Sequence, residues 1–599
     1  MARLLLDAPH HDGSPLYLDD EAPALGGDVG VRVRTSVRRP VDAVWVRTVE
    51  DAEPFFTPCE VESADDHAVW WRGAVHVRNP TTHYRFMVVS GDSYIWLTQA
   101  GVFDRDVTDA HDFVVTTYAA APDWARDAVV YQVFPDRFAR SGRADTRATP
   151  DWAIPASWDD PPVHEGPDTP LQFYGGDLDG IVDHLDHVQR LGANTLYLTP
   201  VFPAESNHRY NASTFDEVDP LLGGDAAYRR LVDAAHTRGL RILGDLTSNH
   251  TGDTHEWFAR ASRDPDSREH DFYYFTPDGG HEGWKGYSTL PKLDHLDDEL
   301  GGRMRAVVQH WLRFGLDGWR IDVANMTGRH VDVDVAHRVA REIRRAAEEV
   351  HADVSVVGEH GHDAGSDLNV GGWHGTMNYY GFSFPVWEFC RDPDRPVPSF
   401  GLPVGVARRT GMQAMGSVRD FHARFGWRAS SSSWNILGSH DSPRIRTITG
   451  SAAMHHAAVA LQFTLPGVPM VFAGDELGFE GVDGEDSRRT IDWTRPTDTP
   501  TSAVYRSYAA LRREQVALRR GSLRWVHLGD DLVVFQREHP SGHVLVAVSR
   551  GGSPALELPA GPLGVDGTAT VLTGPGQSSR GETLAVPAYD EPGATVWRL

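Results

Sequence analysis

The feature that most constrains this chain is a series of eight short, largely apolar runs separated by helical stretches. The runs are Ala128–Phe134, Asn194–Leu198, Leu240–Gly244, Gly318–Asp322, Val354–Val357, Thr376–Tyr379, Ser433–Gly438 and Pro469–Phe472, the last three with weaker patterns. Continuous apolar runs of this length are expected of strands covered on both faces. Helical patterns fall between them at Gly180–Leu191, Ala226–Thr237 (stopped by Gly239), Arg303–Phe314, Val331–Val350, 404–424 and 451–465, and Ala503–Arg519 closes the series. Strands alternating with helices predict a parallel sheet. Eight repeats predict a (β/α)8 barrel over 121–250 and 301–521, with 251–300 inserted after the third strand.

The flanks read differently. Residues 1–120 carry short alternating or aromatic-rich segments at Ala43–Val49, Ala68–Val77, His83–Ser90 and Asp112–Thr117, which predict an N-terminal β-sandwich. From 522 onward strands return: Leu532–Gln536, a turn at Pro540-Ser541-Gly542, and Val544–Ser549 predict a hairpin within a C-terminal β-domain, 522–599.

Composition excludes several function classes. A formal net charge of −27 disfavours nucleic acid and anionic membranes as partners. No apolar run approaches membrane-spanning length. The two cysteines, Cys59 and Cys390, are too few for a disulfide framework or a thiolate metal site. Leu4-Leu5-Leu6 is cut short by Asp7, so no signal core is read, and a cytoplasmic location is expected.

In a (β/α)8 barrel, catalytic groups stand at the C-terminal ends of the strands. Here those ends carry Asp245, Asn249 and His250 (third), Arg320 and Asp322 (fourth), Glu359 (fifth), and His440 and Asp441 (seventh). Arg320 and Asp322 lie two apart on a strand and so face one side, where the guanidinium can hold the carboxylate ionised. Acids without lysine, cysteine or serine partners suit acid–base work on an acetal. Retaining glycosidases need two carboxyl groups about 5–5.5 Å apart, a nucleophile and a general acid/base. Asp322 fits the first role. Glu359, after the buried run Val354–Val357, fits the second if burial raises its pKa. Asp441 is placed to bind hydroxyls and favour a distorted ring.

These segments resemble the motifs of the α-amylase family of retaining glycoside hydrolases. Asp245–His250 is similar to the family's third-strand motif, Gly318–Asn325 to its nucleophile motif, Val357–His360 to its acid motif, and Ser439-His440-Asp441 to its last carboxylate motif. Leu290-Pro291-Lys292-Leu293-Asp294 and Leu437–Arg444 further resemble the neopullulanase, cyclomaltodextrinase and maltogenic amylase group. The resemblance implies hydrolysis of α-glucosidic bonds, α-1,4 or α-1,6, in short or cyclic maltooligosaccharides, with maltose as a product, and a homodimer formed through the N-terminal domain; no cofactor is expected. It implies that Tyr210 stacks on the sugar at the scissile bond, that His250, Arg320 and His440 hydrogen-bond that sugar, that Asn325 and Met326 face substrate, and that Arg488 contacts the next sugar on the non-reducing side. Three positions depart from the group: Asn211 for Asp, Asp294 for Asn, and Met326 for a Glu on the acceptor side. Arg140–Asp145 lacks the pattern that binds calcium in relatives, and Asp177 alone does not make that site.

Plainer roles stand beside these. Tyr210 reads equally as a loop anchor, and Trp257, Trp284 and Trp373 as packing or as sugar platforms. His360 and His362 lack a third metal ligand. His255 and Glu256 read as loop polar groups. Rival functions are a glucanotransferase on the same substrates, a hydrolase of a branched cyclic sugar such as cyclic maltosyl-maltose, a barrel metallohydrolase built on His250 and His440, and a non-catalytic sugar-binding barrel.

Overall fold

The computed structural model describes residues 3–395, 397–399, 401–565 and 567–599. Among these, eight parallel strands close into a barrel: β1 Val130–Val133, β2 Thr195–Leu198, β3 Arg241–Leu246, β4 Gly318–Ile321, β5 Ser355–His360, β6 Gly375–Asn378, β7 Trp434–Ile436 and β8 Val468–Phe472, with β8 pairing back to β1. All eight sit on the runs read from sequence. β1, β2, β4, β6, β7 and β8 are buried along their whole length, as strands lined by helices outside and side chains inside must be. Register then sets the levels of the upper rim. Asp245 pairs with Arg320, and Arg320 with Val357. One step on, Ile321 pairs with Gly358, which brings Asp322 level with Glu359.

The helices obey local rules. In Asp298–Phe314 the side chain of Asp297 caps the N–H groups of Glu299 and Leu300, and Gly315 ends the helix at φ 130°. Three predicted helices differ. The stretch 180–191 is two short helices, Leu178–Asp183 and Leu185–Leu191, because His184 leaves helical geometry and stacks flat on Trp493 at 3.8 Å. The helix expected from Val331 begins only at Ala336; before it, Arg329–His330 pairs with Val333–Asp334 in a hairpin. The helix expected at 404–424 runs instead over Gly411–Ser430, opened by a Thr410/Gln413 capping box.

The N-terminal region has two facing sheets, one of six strands and one of three (Asp28–Ser36, Ala68–His76, Glu60–Ala64). Val31, Val33, Trp71 and Val75 from one sheet and Val46, Phe86 and Val115 from the other share one core. The C-terminal region is a seven-stranded antiparallel sheet that also takes in Arg3–Leu4, paired with Ser522–Leu528. The hairpin Leu532–His539/Gly542–Arg550 stands where it was read. No helix among the described residues is long and apolar enough to cross a membrane.

Candidate active site

The guanidinium of Arg320, fully buried on β4, is the hub. Its Nη1 donates to Asp245 Oδ1 at 2.8 Å and to Asp322 Oδ1 at 2.8 Å. Its Nη2 is ion-paired with Glu359 Oε2 at 2.8 Å. Two such contacts on one planar fork leave the nearest oxygens of Asp322 and Glu359 no more than about 8 Å apart. The two acids therefore belong to one site.

One cation among three carboxylates leaves the cluster short of positive charge. Burial pushes Asp322 well above the ordinary carboxylate range; Arg320 opposes this, and Glu359, Asp245 and Asp441 add to it. Burial likewise pushes Asp245 up. The expectation that Arg320 simply holds Asp322 ionised therefore needs correction: Arg320 is shared, and desolvation outweighs its part. The side chain of Glu359 keeps 18% exposure, is ion-paired with Arg320 and accepts the N–H of Val323 at 2.9 Å. That N–H is aimed by a left-handed backbone at Val323, φ 44°, a strained conformation for a β-branched residue one step after Asp322.

A second chain of hydrogen bonds crosses the barrel mouth. The side-chain N–H of Gln132 on β1 donates to His440 Nδ1 at 2.8 Å, which leaves the ring proton on Nε2, 2.7 Å from the Tyr210 hydroxyl oxygen. Tyr210 O–H donates to Asp245 Oδ2 at 2.8 Å, beside Tyr197 O–H at 2.6 Å. Tyr210 lies parallel to His440, 7° between planes with centroids 5.5 Å apart, and follows Arg209, held at φ 63° by an ion pair with Asp219. Asp441 lies 3.2 Å from His440 Nε2 and 3.1 Å from Arg488 Nη2, and Arg488 Nε donates to the carbonyl of His440. Gly484 makes this close approach feasible: a Cβ there would stand 2.8 Å from the Asp441 backbone.

His250, buried at the end of β3, places Nε2 4.0 Å from Asp322 Oδ2. Burial drives its pKa down to about 3 and that of His440 well below the usual value, so both rings are neutral at working pH. Lys292, from the insertion, is buried. Its Nζ donates to Asn249 Oδ1 at 2.5 Å and to the Met326 carbonyl at 3.0 Å, tying insertion, β3 loop and β4 loop together. Met326 is 36% exposed at the rim, and the carbonyl of Asn325 accepts from Arg329.

All ten residues singled out by sequence thus lie at one barrel mouth. Sequence reasoning left out Tyr197, Gln132 and Glu485, whose Oε1 accepts from Arg488 Nη1 at 2.7 Å. A phenol inside the apolar run of β2 was the available signal for Tyr197, since a buried hydroxyl needs a partner. Trp257 and Trp373 are buried and pack; Trp284 is half-exposed. No group of three or more His, Cys, Asp or Glu side chains is placed to hold a metal ion among the described residues. Asp177 caps a helix, accepts from Ser141, and meets Arg147 Nη1 at 2.8 Å, so an arginine supplies the cation there.

The barrel carries three acids and an arginine at its C-terminal mouth, and residues 132–502 match the α-amylase catalytic domain; the chain belongs to that family and is a glycosidase of it. Within the family its likeness is to the cyclomaltodextrinase and neopullulanase enzymes. Neopullulanase 2 of Thermoactinomyces vulgaris is 31% identical over 475 residues, 77% of this chain and 75% of that one. A cyclomaltodextrinase structure superimposes with a TM-score of 0.73 at 25% identity, over 99% of this chain and all of its own, flanking domains included. The cyclic α-maltosyl-(1→6)-maltose hydrolase of Arthrobacter globiformis, in complex with that sugar, gives a TM-score of 0.67 at 28% identity over 80% of this chain and all of its own.

Proposed function

We propose that the chain is a retaining α-glucoside hydrolase of short or cyclic α-glucans, cleaving α-1,4 and also α-1,6 bonds with maltose among its products. The observation that carries this reading is one guanidinium in contact with both Asp322 and Glu359, with Asp441 fixed beside them by Arg488. A carboxylate oxygen of Asp322 bonds to the anomeric carbon as the glycosidic C–O bond breaks. The electron pair stays on the leaving oxygen, which takes a proton from Glu359. Water then attacks the glycosyl-enzyme, gives a proton to Glu359 and frees Asp322. This chemistry requires Asp322 to be ionised and Glu359 to carry the proton at the moment of attack. Asp441 and the neutral His250 and His440 hold the sugar's hydroxyls, Tyr210 lies against its ring, Arg488 meets the next sugar on the non-reducing side, and Asn325 and Met326 border the leaving-group side.

The test is Asp322→Asn. Turnover of a maltooligosaccharide should fall at least about 10³-fold while the sugar still binds in calorimetry. Retained turnover would remove Asp322 from the role.

Association of two copies through the N-terminal domain belongs to the same reading. The strand Glu53–Pro58 lies at a sheet edge and exposes Phe55 (52%) and Phe56 (37%); the ring of Trp96 stands 6.5 Å from that of Phe56 and 5.5 Å from that of Tyr94 (47% exposed). Sedimentation should give twice the chain mass, and Phe55→Glu should give the single chain. A wild-type monomer at micromolar concentration would exclude the pairing.

A further inference from the structure

Glu359 is held through one of its two oxygens. Arg320 Nη2 and the Val323 N–H both meet Oε2, at 2.8 and 2.9 Å. An oxygen that takes two donors acts as the acceptor when the group is neutral, so a proton to be transferred sits on Oε1. The direction of Oε1 then depends on where the Val323 N–H points. That N–H belongs to a β-branched residue at φ 44°, a conformation that lasts where the surroundings impose it.

Residues 323–328 are a run of turns, with no regular element to stiffen them. Met326 N–H donates to the Val323 carbonyl at 2.9 Å, and Arg329 Nη1 pins the middle of the run by donating to the Asn325 carbonyl at 2.6 Å. The same guanidinium is gripped from the loop after β5. Asp367, on the helical turn Gly365–Leu368, takes Nη1 on Oδ2 at 3.1 Å and Nη2 on Oδ1 at 2.7 Å. Asp367 is 3% exposed, meets His337 Nε2 at 2.9 Å, and has Nδ1 of His360, the residue after Glu359, 3.5 Å from its Oδ2. Burial works against its ionisation, yet Arg329 and the two histidines bring its pKa below the ordinary carboxylate value. A buried ion pair adds little net stability, and its best-attested use is to specify one geometry.

Resting on the glycosidase reading, we infer that Asp367 and Arg329 are positioning residues for the proton donor: they hold the Asn325 turn, the turn aims the Val323 N–H, and that N–H with Arg320 directs the Glu359 carboxyl at the leaving oxygen. The circuit closes on itself, because Glu359 ends β5 and Asp367 follows in the loop beyond it. Neither residue acts on the sugar. Asp322 stands before the turn and has its own supports, a bond to Arg320 and its N–H on the Leu246 carbonyl at 3.0 Å. Loss of the pair therefore impairs protonation of the leaving group rather than attack by Asp322.

The experiment compares kcat/KM of wild type and Asp367→Asn on phenyl and 2,4-dinitrophenyl α-maltoside. The two carry the same maltosyl unit and differ in how much the departing oxygen needs a proton. The phenyl glycoside should lose about 30-fold and the dinitrophenyl glycoside less than about threefold. Arg329→Lys keeps the charge and removes the fork, and should show the same split; it decides the matter if circular dichroism shows Asp367→Asn misfolded. Equal loss on both glycosides, as a general distortion would give, or no loss on either overturns the inference. Wild type that cleaves neither glycoside would remove the glycosidase reading, and the inference with it.

Discussion

At the residue scale, the site is a compromise between charge and burial. Arg320 meets three carboxylates, so no one of them has a cation to itself. Burial and three neighbouring acids raise Asp322, with Arg320 opposing. A carboxyl group whose pKa is raised on folding binds its proton more tightly in the native state, so its ionisation costs stability as pH rises through the folded pKa. Asp322→Asn should therefore gain thermal stability at pH 7 as it loses turnover, because the substitution removes a desolvated charge and leaves Arg320 with Asp245 and Glu359. A melting temperature below wild type would mean that the ion pair outweighs the repulsion.

At the element scale, the strands were legible because burial on both faces leaves one kind of sequence. Leu196-Tyr197-Leu198 and Val354–Val357 admit little else. The acids were legible because a barrel presents its strand ends to one rim. What escaped depended on contacts between distant segments. The helix break at His184 is set by Trp493, more than three hundred residues away. The environment of Glu359 is set by Arg320 on β4 and Val323 just beyond that strand's end, which no local run could reveal. The hairpin before Ala336 did leave a trace: Val331-Asp332-Val333-Asp334-Val335 alternates with period two, and the helix pattern beyond it masked the signal. Loop geometry is equally exacting at Gly484. Gly484→Ala should push the Asp441 backbone aside and lower kcat about 10²-fold, with the circular dichroism spectrum unchanged. Wild-type kcat in that variant would show that the loop absorbs the methyl group.

At the scale of the whole molecule, the first residues of the chain clamp the two β-domains together. Arg34 of the N-terminal domain makes a two-pronged contact with Glu538 of the C-terminal domain at 2.7 and 3.0 Å. Asp12 accepts the N–H of Leu523, and burial pushes its pKa from 3.8 to about 6. The folded chain thus holds this proton between about pH 4 and 6, where the unfolded chain has lost it. This group's contribution to stability falls as pH rises through that window and stays low above it, by about 3 kcal/mol in all. Urea unfolding of wild type and Asp12→Asn should show the difference: relative to the variant, wild type loses stability from pH 4.5 to 7. Parallel pH profiles would show that Asp12 is not desolvated in solution.

The proposed chemistry stands or falls on a bond between Asp322 and a sugar. A 5-fluoro-α-glucosyl fluoride should trap the glycosyl-enzyme, and peptide mass spectrometry should place the added hexose on Asp322. A hexose on any other residue, or a first-formed product with β configuration and no adduct, would contradict it.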